Sequence, residues 1–110
     1  MKTDVPGRND AERQFRSQLR TVLRNLERAI EDLLENYWEE PLRRYAFDIA
    51  SALLQGCKAY GYLELASVAR AMMSLLDLRM EDVLTLKEPL TEKFKELIGL
   101  SKELAEMLAA

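Results

Sequence analysis

Few residues in this 110-residue chain are equipped for chemistry. Histidine is absent, which removes the commonest general base, the commonest metal ligand and any phosphohistidine. The single cysteine, Cys57, cannot form an intramolecular disulfide, and with no histidine beside it a zinc site has no ligand set. No Glu-x-x-His pair exists for a di-iron bundle, and no glycine-rich phosphate loop is present. Ser101 and Lys102 are neighbours on a helix and so face apart, which rules against a Ser/Lys nucleophile pair. No catalytic residue, metal or cofactor is assigned, and the chain reads as a non-enzyme. The residue of most interest is Ser51, within "DIASALLQGCKAYGYLEL", residues 48 to 65.

The elements that must position Ser51 follow from hydrophobic spacing. Residues 1 to 8 read as a flexible tail punctuated by Pro6-Gly7, with one domain over 9 to 110. Asn9 and Glu12 have the spacing of a capping box. A first helix then carries Phe15, Leu19, Val22, Leu26, Ile30, Leu33 and Tyr37 as its apolar stripe, widened by Leu23 and Leu34. Pro41 starts a second helix, with Leu42, Tyr45, Ala46, Ile49, Leu53 and Cys57 inward, and Gly61 ends it. A third helix runs from about Tyr62 to Leu76, burying Leu65, Val68, Ala69, Met72, Met73 and Leu76. A link of about ten residues leads to Pro89, with Thr85 and Glu88 as capping candidates. The last helix carries Leu90, Phe94, Leu97, Ile98, Ser101, Leu104, Ala105 and Leu108 inward. The expected fold is all-α, an antiparallel up-and-down four-helix bundle.

Charge narrows the partners. Sixteen Lys/Arg face nineteen Asp/Glu, an acidic balance that argues against general nucleic-acid binding. The first 28 residues are basic and the remainder acidic. Arg16, Arg20, Arg24 and Arg28 recur every four residues, as a solvated helix face does. No apolar stretch reaches membrane-span length, and "MKTDVPGRNDAER" has no signal-peptide core. The expected location is cytoplasmic.

At about 100° per residue, with Ile49 as the inward reference, Ser51 lies on the far side of the second helix. Arg44, Phe47, Leu54, Gln55 and Lys58 surround it. A small polar residue flanked by apolar ones, with cations at both ends, reads as a contact surface.

"IASALLQGCKAYGYLEL" resembles the signature of histidine phosphotransfer (HPt) domains, including the phosphotransfer domain of chemotaxis-type kinases. Ala50 matches the signature alanine and Ser51 stands where the phospho-accepting histidine would. Leu53 takes the apolar position, Leu54 replaces a lysine and Gln55 replaces a glycine. Tyr60 and Gly61 match the aromatic-glycine pair, Leu65 the following leucine, and Phe47 a phenylalanine frequent in chemotaxis-type members. The helix order fits over roughly residues 10 to 108, including "MMSLLDLR".

The resemblance implies a degenerate member that keeps the HPt-like bundle and loses the relay histidine. Its implied role is a non-catalytic interaction module in bacterial two-component or chemotaxis-type signalling. The implied partner is a response-regulator receiver domain or a sensor kinase, docked on Arg44, Phe47, Leu54, Gln55, Lys58 and Tyr62 without phosphotransfer. Two alternatives remain at this stage: a self-associating, homodimeric helical module, and a phospho-acceptor using Ser51.

Overall fold

The computed structural model describes residues 6–109, and all the regular structure among them is helical. Five helices follow in order: α1 (Pro6–Glu35), α2 (Glu40–Tyr60), α3 (Leu63–Leu76), α4 (Met80–Thr85) and α5 (Lys87–Ala109). Residues 1–5 of the expected tail lie outside the described residues. Pro6 to Arg8 belong to α1, and Asn9 lies inside the helix rather than capping it. Proline at the start of a helix forfeits only an amide that has no intrahelical partner anyway.

The expected ten-residue link contains α4, and α5 begins two residues before Pro89. Thr85 does not cap α5. Its hydroxyl donates to the Glu81 carbonyl within α4.

α1 packs on α2 and α5, and α3 packs on the same two helices. Two surface pairs join Arg20 to Glu106 and Glu27 to Lys102. Ascending α1 therefore matches descending α5, so these neighbours are antiparallel. Arg43, in the first turn of α2, donates to the Leu76 carbonyl at the end of α3, which sets that pair antiparallel too.

The core is drawn from every helix. Leu19, Leu23, Leu26, Ile30 and Leu33 of α1 meet Leu53 and Cys57 of α2, Leu65, Met72 and Leu76 of α3, and Phe94 of α5. Val83 of α4 joins them. Ser101 is fully buried, its hydroxyl donating to the Leu97 carbonyl one turn back, so the polar atom is satisfied. Small residues bring α1 and α2 close. A Cβ on Gly56 would stand 2.6 Å from Cζ of Phe15.

Two turns end their helices with the same six-to-one hydrogen bond across a left-handed residue. After α2, Gly61 adopts φ 77°, and the amides of Gly61 and Tyr62 return to the Lys58 and Cys57 carbonyls. This is the Schellman termination, with glycine at its left-handed position. After α1, the Trp38 amide returns to the Leu33 carbonyl at 3.0 Å, and the left-handed position is Tyr37 at φ 57°. Trp38 follows at φ 61°.

The sequence reading put Tyr37 on the buried stripe, but the structure turns it out to 75% exposure. Trp38 is buried in its place. Its indole N–H donates to the Leu78 carbonyl at 3.0 Å, and its ring lies 6.3 Å from that of Phe94.

A side chain in the left-handed region costs roughly 1–2 kcal/mol, part of which glycine gives back through its freer unfolded chain. Tyr37→Gly should therefore raise stability by about 1 kcal/mol, read as a higher urea midpoint at unchanged slope. A lower midpoint would mean that the exposed ring supports the fold.

Candidate functional site

Ser51 stands on α2 and is half-buried. Arg44, Gln55 and Lys58 are exposed on the same side of the helix. At 100° per residue these four fall within about 60° of its circumference, along roughly 21 Å of its length. They form one polar strip, with the buried Ala50 behind it.

The apolar half of the expected surface is placed differently. Leu54 is 7% exposed and belongs to the core. Phe47 is half-buried and packs against the core. Tyr62 is half-buried, and its hydroxyl donates to a Glu12 carboxylate oxygen at 2.8 Å. Its ring stacks near Phe15 at 6.0 Å. Tyr45, expected inward, is 58% exposed.

One cause explains these displacements. α2 is wedged between α1 and α3, so it buries the direction that bisects them. That direction is lined by Ala46, Ala50, Leu53, Leu54 and Cys57. Ile49, taken as the inward reference, lies about 80° to one side of it, and Phe47 about 80° to the other. Small alanines let the neighbouring helices close on this line, while the larger Ile49 sits at the margin and Tyr45 faces out.

The charge of the strip is mixed. Asp48, which sequence reasoning left out, is exposed beside Arg44 and Ser51. Arg43 was also missed. It is half-buried, reaches the Leu76 carbonyl at 3.0 Å and grips Glu40 with two hydrogen bonds. That bonding holds the Glu40 carboxyl down at about 2, with Arg44 adding to the effect. Glu40 therefore favours the folded state above its ordinary value of 4.5, and that contribution fades as pH falls towards 2. The signal for Arg43 in the sequence was its place three residues after Glu40, a helical ion-pair spacing.

Cys57 is fully buried, and burial pushes its thiol up to about 11. The thiolate needed for nucleophilic work is thereby disfavoured. Among the described residues, no three of His, Cys, Asp and Glu gather as a metal-holding group. No helix there is long and apolar enough to cross a membrane. No protein-family model, curated protein or solved structure matches the chain.

Burial, with the Glu12 bond second, raises the Tyr62 hydroxyl to about 12. Its neutral form then favours the fold below its ordinary value of 10, and that support is lost as pH climbs towards 12. An absorbance titration should show one tyrosine ionising late, and Glu12→Gln should bring it part of the way back towards 10. An unchanged profile in Glu12→Gln would remove the role given to that hydrogen bond. Cys57 should resist a thiol reagent in the native protein and react at the rate of global opening. Labelling as fast as in the unfolded chain would contradict its burial.

Proposed function

We propose that the chain is a non-catalytic interaction module built on an HPt-like, antiparallel four-helix bundle. In this reading α1, α2, α3 and α5 are the four bundle helices and α4 is an elaboration of the last link. The outer strip of α2 docks a receiver domain or sensor kinase in the cytoplasm, without phosphotransfer. The observation that carries the reading is the polar strip itself: Ser51 half-buried at its centre, with Arg44 and Lys58 exposed about two turns away on either side. The neighbour pattern of the four long helices supports it, because each packs on two others as bundle helices do.

The strip binds mainly by charge and hydrogen bonding, because Leu54 has gone to the core and Phe47 largely with it. Arg44 and Lys58 steer an acidic partner surface, Gln55 supplies hydrogen bonds, and the small Ser51 permits close approach. Ser51 has no basic nitrogen to receive a phosphoryl group, and the chain contains no histidine to activate it.

NMR shift mapping against receiver domains from the source genome tests this. Binding at about 50 μM or tighter should perturb Arg44, Ser51, Gln55 and Lys58, and Arg44→Glu with Lys58→Glu should weaken it about tenfold or more. Ser51→Ala should leave it unchanged. Absence of binding, or shifts confined to other helices, would overturn the proposal.

A further inference from the structure

The α1–α2 turn is built against local preference. Asn36 to Glu39 separate the two helices, and none of these residues is glycine or proline. Tyr37 and Trp38 are the non-glycine residues in the left-handed region among the described residues, and they are consecutive. That region carries a steric cost for any residue with a Cβ, and such outliers persist only where the surrounding structure imposes them. The α2–α3 turn avoids the cost with Gly61. The α1–α2 turn is instead held from outside, by the indole bond of Trp38 to the Leu78 carbonyl and by Phe94 beside its ring. Local strain pushes this turn open, and the Trp38 contact latches it shut.

Beyond the turn lies one terminal helix. α1 packs on α2 and α5. Its Leu19, Leu23, Leu26, Ile30 and Leu33 are each no more than 2% exposed. An α1 swung away from its own chain leaves that stripe in water, so it must be covered again. The cleft it vacates is shaped for it. Gly56 leaves room for Phe15, and the Tyr62 hydroxyl donates to Glu12. Glu106 pairs with Arg20, and Lys102 with Glu27. A second copy with its own α1 displaced offers the same cleft, so each of these contacts re-forms between chains. Short hinges under strain invite this exchange, because opening relieves the strain while the packing is regained.

We propose that two copies of the chain exchange α1 across an opened α1–α2 turn. The product is a domain-swapped dimer in which Tyr37 and Trp38 leave the left-handed region. Trp38 opposes the exchange by holding the turn closed, so protein concentration and the hinge residues set the share of each form. This inference is independent of receiver docking on α2, because none of the strip residues takes part in it.

The test refolds the full chain from urea at about 10 μM and at about 1 mM and reads its mass by sedimentation. The concentrated sample should contain a dimer that persists for minutes or longer after dilution, since its return requires α1 to be released. A dimer refolded from equal parts of isotope-labelled and unlabelled chain locates the exchange. It should show a nuclear Overhauser contact from Gly56 of one chain to the Phe15 ring of the other. Tyr37→Gly relieves the closed turn and should lower the dimer association constant about tenfold or more. Tyr37→Ala keeps the Cβ and its strain but removes the ring, and should leave the dimer as strong or stronger. Monomer at both concentrations, or a dimer whose Phe15–Gly56 contact stays within each chain, would overturn the proposal. So would equal weakening by Tyr37→Ala and Tyr37→Gly, because the ring rather than the strain would then hold the dimer.

Discussion

The indole N–H of Trp38 donating to the Leu78 carbonyl is the contact on which the rest of this structure hangs. It joins the α1–α2 turn to the α3–α4 link, two segments forty residues apart in sequence. The ring also reaches Phe94, so α5 is held at the same point. Arg43 reinforces the junction from the first turn of α2 by donating to the Leu76 carbonyl. A buried carbonyl at the end of a helix must find a donor or lose free energy, and these two side chains supply donors for the end of α3 and the link behind it. Burying Trp38 forces the chain through two successive left-handed residues. The strain at Tyr37 is therefore tied to the contact that closes this end of the molecule.

The opposite end is closed differently. Gly61 makes the turn without strain, and the hydroxyl of Tyr62 crosses to Glu12 on α1 while Phe15, Tyr60 and Tyr62 pack as an aromatic group. Between the two ends, α1 and α2 close on small residues. Gly56 leaves room for Phe15, and Ala46 and Ala50 line the buried side of α2. The two ends leave different surfaces. The Trp38 end exposes an apolar group, and the outer side of α2 exposes a polar strip.

Much of the fold was legible in the sequence. The α1 stripe from Leu19 to Leu33, the inward residues of the last helix and the stop at Gly61 were read correctly, because large apolar residues at helical spacing and a lone glycine have one physical reading. On α2, Ala46, Leu53 and Cys57 are inward as expected, but the centre of the buried face is displaced. The large residues of α2, Tyr45 and Ile49, pointed to one side, whereas the helix buries the line of its alanines. Leu54 was assigned to a partner for that reason and belongs to the core. Arg44, Ser51, Gln55 and Lys58 share one side of α2, without the apolar contacts expected beside them. α4 was missed because six residues are too few to establish a period, and Trp38 because a single aromatic carries no periodicity at all.

By itself the sequence determined the helical class, the extent of the long helices and which chemistries lack their residues. These depend on local spacing and on residue types that are present or absent, and neither requires knowing what packs against what. Tertiary structure decided which side of α2 is buried, which aromatic of the Tyr37–Trp38 pair goes inside, and where the exposed apolar residues gather. The reason is geometric. A helix between two neighbours buries the direction between them, and that direction exists only once all three helices are in place.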